Sequence, residues 1–371
     1  MSFRKVLLEG IDVAIAGGGI IGLWTAYEIL THKPELTVVV FEKERFFGEH
    51  TTGRNSEVLH AGIYYPYQSL KHLSCLEGNI LWREFFNRYQ LGFLDCGKYV
   101  VAPEQSSSSL EELIIKAEKN NVPDIRRITS KEIKELKVWV NCHSGFYSPS
   151  SAVIDVSGSL RLLRQLLEEK GCILLNQSEL EIIRHDGDGF DLSTNGDHFR
   201  ADILINAGGH FAIDLRLQLG LSDLHKKLVK GNYLSLKKKL GLSKLVYPIP
   251  PEHGLGLGVH LTLNCAGEQK LGPNTEIVEN MDYSVNSDLI NAMYPSVQNL
   301  FPTIQKEHLS LAYAGIRPRV VDSYGKLLTD FILNTPQEHQ IKNYYEFLGI
   351  ESPGLTAAPS LAKLLFKSVF Q

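Results

Sequence analysis

With 371 residues the chain is too long for one ordinary core and suits two domains, at roughly 150 residues each. Apolar residues at 43% and charged residues at 22% describe a soluble globular protein, and 38 Lys plus Arg against 42 Asp plus Glu give a formal charge of −4, which excludes the basic domain that nucleic acid calls for. The five cysteines (Cys75, Cys96, Cys142, Cys172, Cys265) are odd in number and form no C-x-x-C pair, which points to a reduced compartment and away from structural zinc or any other metal site.

The first predicted element is a short apolar strand, Asp12 to Ala16, leading into GGGIIG and the helical stretch LWTAYEIL. TVVVFEKE, residues 37–44, reads as a second buried strand, so the opening is a βαβ unit and implies a parallel sheet covered by helices. MSFRKVLLEG runs directly into this strand, and no signal or transit peptide is expected. Gly17, Gly19 and Gly22 form G-x-G-x-x-G between strand and helix. Gly17 permits the tight turn, Gly19 lets the backbone approach a diphosphate, and Gly22 lets the helix pack on the strand. The helix N-terminus favours the negative charge. Glu42 lies 42 − 22 = 20 residues beyond the third glycine, where a carboxylate meets a ribose hydroxyl. An NAD domain would continue with consecutive βα units. Here sheet-like pieces return only at ADILINAGG and near the C-terminus, an interleaving that suits the longer FAD.

RNSEVLHAGIYYP, residues 54–66, gathers a guanidinium, a carboxylate, an imidazole and two phenols around Gly62. A helix follows over 69–89, Ser106 to Ser109 form a loop tip or cap, and Thr129 with Glu132 fits a capping box. SLRLLRQLLEEKG is a helix stopped by Gly171. CILLN, LEIIRH, FDLST and ADILINAGG are strand-like, with DGDG and NG as turns; Asp186 and Asp188 lack the EF-hand spacing and its closing Glu. Asn176 in NQS matches a glycosylation pattern by chance in a cytoplasmic chain. From Lys230 to about Ala314, strands rich in Gly and Pro predict an antiparallel substrate-domain sheet. LAYAGIRPRVV, a further strand, a Gly-rich turn and an apolar closing helix complete the chain; that helix packs into the core or touches lipid headgroups. No run approaches the roughly 18–20 apolar residues of a membrane span. The expected location is the cytoplasm, with peripheral contact at the inner face of the cell membrane left open.

His60 and His260 are the candidates for proton transfer, since an imidazole of ordinary pKa about 6.5 accepts a proton at neutral pH. In LGLGVHLTL, a continuous strand would put Gly256, Gly258, His260 and Thr262 on one face and leave room for a ligand. His210 reads as structural or close to the cofactor. Arg317 is the candidate anion grip, because a guanidinium holds a carboxylate through two parallel bonds. A ligand with two carboxylates would need a second grip, for which Arg319, Arg54, Lys230 and Tyr65 compete. Tyr64 and Tyr65 donate hydrogen bonds to substrate, close over the flavin, or pack as ordinary aromatics. In GIESPGLT, residues 349–356, the backbone N–H groups and helix start face the flavin edge that gains charge on reduction, or form an ordinary capped helix.

GGGIIG with Glu42, RNSEVLHAGIYYP with SLKHLSCLEG, CGKYVVAPE, INAGGHFA, KGNYLSL, LGVHLT with LGPN, AGIRPR and SPGLTAAPSLA together resemble the D-amino-acid-oxidase-like (glycine oxidase/glycerol-3-phosphate dehydrogenase) flavoproteins, and within them the L-2-hydroxyglutarate dehydrogenases and oxidases. The pattern departs from the family's at Arg54, where His is usual, at Glu57, where Gly is usual, and in the pair after Tyr65. The resemblance implies an α/β fold of the glutathione-reductase/D-amino-acid-oxidase type: a Rossmann-like FAD domain over 1–90, 151–225 and 311–371, and an α+β substrate domain with an antiparallel sheet over 91–150 and 226–310. It implies FAD contacts from Gly17, Gly19, Ile20, Gly22, Glu42, Lys43, Asn55, Ser56, Leu180, Ala207, Gly208, Gly209, Gly315, Gly349, Pro353, Gly354, Leu355 and Thr356. Its chemistry is oxidation of an L-2-hydroxy acid to the 2-keto acid, with a hydride passing to flavin N5 and electrons leaving to a quinone or to oxygen. His60, His260 and Arg317 would carry that reaction, with Tyr64, Tyr65, Arg54 and Arg319 around the substrate. The rival readings are an oxidase of glycine, sarcosine, D-amino acids or glycerol 3-phosphate on the same fold, and a flavoprotein without turnover that serves as a binding partner.

Overall fold

The apolar run Ile11–Ala16 is buried along nearly its whole length because a parallel strand stands on each side of it: Val38–Phe41 on one, Asp197–Asn206 on the other. The computed structural model describes residues 10–103, 106–250 and 256–371. They form two compact units, one of Met1–Gly53, Val156–Lys227 and Arg317–Gln371, the other of Arg54–Asp155 and Leu228–Ile316. Residues 54–90, expected in the first domain, group with the second unit, where Val58–Leu59 pairs with Ala152–Ile154.

In the first unit, Ile173–Leu175 extends the parallel sheet beyond Val38–Phe41. The long strand Asp197–Asn206 has two partners in succession. Its first half makes an antiparallel hairpin with Phe190–Thr194, and its end runs parallel to Tyr344–Leu348. The DGDG turn is closed by Asp186, whose Oδ1 accepts from the N–H groups of Asp188 and Gly189 while Arg200 pairs with it. The closing helix Gly354–Phe370 packs on the first helix Ile20–His32, with Leu361, Ala362 and Leu365 fully buried. Its apolar face is therefore core. A buried polar cluster fixes the last strand: Asn206 donates to the Tyr344 hydroxyl, Tyr344 to Glu346, and the Arg216 guanidinium pairs with Glu346.

The sheet of the second unit has the neighbour order Leu309–Asp322, Leu224–Leu236, Gln269–Gly272, His260–Leu263, Leu245–Pro248, Lys98–Ala102, Ser144–Ser148 and Arg126–Arg127. Antiparallel pairing was expected throughout, but Leu245–Pro248 runs parallel to Lys98–Ala102, because the two belong to separate chain segments. The stretch from Lys230 to Ala314 also holds a helix that was read as sheet, Asp288–Leu300. Its buried Leu289, Met293 and Val297 cover Leu234, Val246, Leu261 and Leu271. Strand alternation then sends Lys98, Tyr247 and His260 to the opposite face of the sheet, since Val246 stands level with both Tyr99 and Leu261. No described helix is long and apolar enough to cross a membrane.

Candidate active site

In the first unit the glycine turn has the geometry that a bound diphosphate requires. Gly17 sits at φ +112°, and a Cβ there would lie 2.4 Å from the Ala207 carbonyl oxygen. A Cβ on Gly22 would lie 2.0 Å from the Gly17 oxygen, which is the helix-on-strand approach. At Gly19, by contrast, a Cβ would meet only the Thr52 hydroxyl, at 3.2 Å, so this residue is glycine for what approaches from outside. Ile20 donates to Thr52 Oγ1 at 3.1 Å, and the helix geometry leaves the N–H groups of Ile21 and Gly22 without intrahelical acceptors. Thr52, 32 residues from its partner, is not legible in the sequence because no local spacing announces a cap from so far away.

The Glu42 carboxylate is buried and accepts from Gly18 N at 2.9 Å and Glu44 N at 2.8 Å. Burial raises its pKa, opposed by those two N–H groups. The loop after Ile173–Leu175 wraps this residue, Ser178 donating to the Glu42 carbonyl. Leu180 lies just beyond, with its side chain in the apolar core beside Ala16 and Phe41. Lys43 places its ammonium 3.4 Å from the centre of the Phe211 ring. Ala207 donates to Ala16, and Gly208 to the Asn206 side chain, so the strand end faces the glycine turn through backbone. Gly209 has open space where a Cβ would stand. His210 holds Thr51 Oγ1 at 3.0 Å.

At the C-terminal end, Gly349 turns the chain at φ +67° and Gly354 would crowd Ile350 if it carried a Cβ. Pro353 caps the closing helix without a side-chain bond, followed by half-buried Leu355 and fully buried Thr356. Arg317 and Arg319 alternate to one face of the strand Leu309–Asp322. They differ in their partners. Arg319 Nε donates to Glu351 Oε2 at 2.9 Å in a largely buried ion pair, whereas Arg317 Nη1 is buried with no hydrogen-bond acceptor among the described residues.

In the second unit, His60, Tyr64, Lys98, Tyr247 and His260 come together. The His60 backbone is pinned by Asn79, whose side chain donates to its carbonyl at 2.9 Å, and by the Cys75 thiol. Asn120 donates to the carbonyls of Gly62 and Tyr65, and Lys116 to that of Tyr64. Four carbonyls of this loop, those of His60, Gly62, Tyr64 and Tyr65, are thus held by side-chain donors. Burial, helped by Lys98 and His260, pushes the His60 pKa well below the ordinary value and keeps the ring neutral. His260 Nδ1 lies 2.7 Å from the Gly258 carbonyl; a carbonyl can only accept, so the neutral ring carries its proton on Nδ1 and its Nε2 is unprotonated. The continuous strand expected from Gly256 to Thr262 is not formed. Pairing begins at His260, because Gly258 turns the chain at φ +77°.

Tyr64 and Tyr65 are both present in this region, with buried hydroxyls. Arg54 lays its guanidinium over the Tyr283 ring at 4.2 Å, and its carbonyl lies 2.1 Å from where a Cβ on Gly315 would be. Asn55 accepts from Glu57 N through its side chain and from the Tyr313 hydroxyl through its carbonyl, with half-buried Ser56 between them. Lys230 is occupied: it donates to the Ser284 carbonyl at 2.7 Å beside Asp282. Lys98 and Tyr247 were missed, although an alternating strand holding a lysine among apolar residues, KYVVA, was the signal.

A family model described as FAD dependent oxidoreductase matches residues 12–367. The chain is 29% identical to a mitochondrial L-2-hydroxyglutarate dehydrogenase of Caenorhabditis elegans, covering 98% of this chain and 94% of the relative. It is 27% identical to an L-2-hydroxyglutarate dehydrogenase of Escherichia coli, covering 87% and 86%. Among solved structures, an FAD-bound L-alpha-glycerophosphate oxidase from Mycoplasma pneumoniae superposes with TM-score 0.83 at 24% identity, covering 97% and 94%. A glycine oxidase from Geobacillus kaustophilus does so with 0.80 at 20%, covering 96% and 94%. These two likenesses show the fold.

Proposed function

Because the chain belongs to the FAD dependent oxidoreductase family, we propose that it oxidises an L-2-hydroxy acid, L-2-hydroxyglutarate, to 2-oxoglutarate. FAD is the cofactor of the family, and the first unit fits it: the open face of Gly19, the unpaired N–H groups of the helix start and the buried Glu42 carboxylate are the diphosphate and ribose partners of a dinucleotide. When bound, FAD supplies the acceptor for the two electrons and the C2 hydrogen. This chain's residues do the remaining work. A neutral imidazole takes the hydroxyl proton, and both His60 and His260 are held neutral or fixed in tautomer for that task. Arg317, with a buried nitrogen lacking an acceptor among the described residues, binds a carboxylate of the substrate. Arg319 is spent on Glu351 and serves to hold the turn at residues 349–353. Tyr64 and Tyr65 line the substrate and exclude water. Electrons leave to a quinone or to oxygen.

The observation that carries the choice of substrate is the likeness to L-2-hydroxyglutarate dehydrogenases over 98% of the chain. The test is anaerobic addition of L-2-hydroxyglutarate to the purified yellow protein. Rapid bleaching of the flavin band with the L-isomer, and none with the D-isomer, is expected. A flavin bleached instead by glycine, sarcosine or glycerol 3-phosphate overturns the substrate and keeps the family.

A further inference from the structure

Among the described residues Lys98 is the most heavily buried charge of the second unit, with no exposed surface at all. Its strand neighbours explain how it came to face inward: it stands level with Leu245 on one side and Ser148 on the other, on the same sheet face as Tyr247 and His260, which lie in the next row, level with Val100. Its ammonium lies 4.3 Å from the centre of the Tyr247 ring and 5.3 Å from that of Tyr64. Among the described residues it has neither a hydrogen-bond acceptor nor a carboxylate partner.

Buried ammonium groups are ordinarily paired, because the loss of hydration is costly. The aromatic faces return part of that loss, and only part. Among the described residues, none of the groups around Lys98 supplies a negative charge at neutral pH. Burial pushes the Cys75 thiol up to about 12 and raises Cys96, Tyr64 and Tyr247 as well. The remaining neighbours, His60 and His260, are basic. The arrangement is one half of an ion pair, held in place by a sheet and set beside the two imidazoles.

We infer that Lys98 is a substrate-binding residue whose ammonium receives a carboxylate of the acid being oxidised, so that the anion enters the His60, Tyr64, Tyr247 and His260 cluster as the missing partner. The inference rests on the hydroxy-acid reading for the identity of the anion, and on the geometry alone for the need of one. It gives the second unit a cation for the substrate and assigns the lysine of CGKYVVAPE a role.

The experiment is calorimetric titration of the flavin-loaded protein with 2-oxoglutarate, for the natural chain and for Lys98→Met, together with the melting temperature of each without ligand. Met keeps the length of the side chain and removes the charge. Binding by Lys98→Met about thirtyfold weaker is expected, the usual effect of losing a charge-assisted bond, with a ligand-free melting temperature no lower than that of the natural protein. Should Lys98→Met fail to retain flavin, Lys98→Gln is measured in the same way. Equal binding by the two proteins overturns the role of Lys98 and leaves the hydroxy-acid reading standing. A lower melting temperature with unchanged binding also overturns it, since the lysine would then be structural. If the natural protein ignores 2-oxoglutarate but binds glycerol 3-phosphate or glycine, and Lys98→Met binds that ligand less well, the anion role stands and the hydroxy-acid reading falls.

Discussion

Tyr247 and His260 lie ring against ring, with centroids 3.7 Å apart and planes 20° from parallel. Strand register produces the stack: Val246 stands opposite Leu261 in an antiparallel pair, which brings 247 level with 260. With Nδ1 held by Gly258, the imidazole has its plane and its tautomer fixed by separate contacts. Tyr247→Phe keeps the stack, and its kcat/KM is expected within about threefold of the natural value. Tyr247→Leu loses the aromatic pair, worth about 1 kcal/mol, and steady-state kinetics should show about a fivefold fall, mostly in kcat.

The pH profile of kcat/KM is expected to be bell-shaped. Its acid limb lies below pH 6.5, because burial with Lys98 and His260 nearby lowers the His60 pKa. Its alkaline limb lies near the Lys98 pKa, which burial lowers to about 8, and is absent from Lys98→Met.

Stability responds to the same lysine with an unusual sign. Its folded pKa lies below the unfolded value of 10.5, so between about pH 8 and 10.5 the unfolded chain holds the extra proton and this group's contribution rises with pH. The buried thiols act oppositely, so the readout is the difference between proteins. Relative to Lys98→Met, the natural protein is expected to gain about 2 kcal/mol between pH 8 and 9.5 in urea unfolding. Parallel curves for the two would place the Lys98 pKa outside this window.

Two glycines of the nucleotide turn separate folding from cofactor binding. Gly17→Ala would drive a Cβ against the Ala207 carbonyl and is expected to lower both the melting temperature and the flavin content. Gly19→Ala meets only the Thr52 hydroxyl, so the apoprotein should melt near the natural one while FAD binds at least about tenfold more weakly. Fluorescence titration of apoprotein with FAD decides between them.

Arg216 and Glu346 form a pair that is almost wholly buried, and Asn334 and Tyr344 satisfy the same carboxylate. Arg216→Met leaves that carboxylate without its counter-ion and is expected to cost about 3–5 kcal/mol in chemical denaturation. Arg216→Met with Glu346→Gln should recover much of the loss.

The two arginines of GIRPR should part in the same manner. Arg317→Met is expected to raise KM about thirtyfold with little change in melting temperature, as loss of a charge-assisted bond to substrate would. Arg319→Met strands Glu351, so it should lower the melting temperature, and adding Glu351→Gln should restore it.

The βαβ opening, the glycine turn and the closing helix were legible because their signals are local: a run, a spacing, a period. The Thr129–Glu132 capping box was legible for the same reason, and it forms as expected. The helix Asp288–Leu300 was not, since Pro295 and a polar face disguise its apolar spacing. At the site, His60 and His260 announce themselves by type, but their meeting depends on the pairing of strands far apart in sequence. Lys98 stayed hidden because a lysine in a strand is ordinarily an outward residue. Only the covering of one sheet face by Leu289, Met293 and Val297 fixes which way it points.

The division of the chain at 53/54, 155/156, 227/228 and 316/317 also bears on how the protein acquires its structure. Neither unit is continuous, and in the first the strand Ile11–Ala16 must wait for Asp197–Asn206, which in turn needs Tyr344–Leu348 on its far side. The N-terminal segment cannot complete its hydrogen-bond ladder while it emerges from the ribosome. Assembly is dominated by contacts between distant parts of the sequence, which makes it slow and leaves an apolar strand edge exposed in the meantime. Truncation anywhere before the closing helix should therefore yield an aggregating chain rather than a smaller working one.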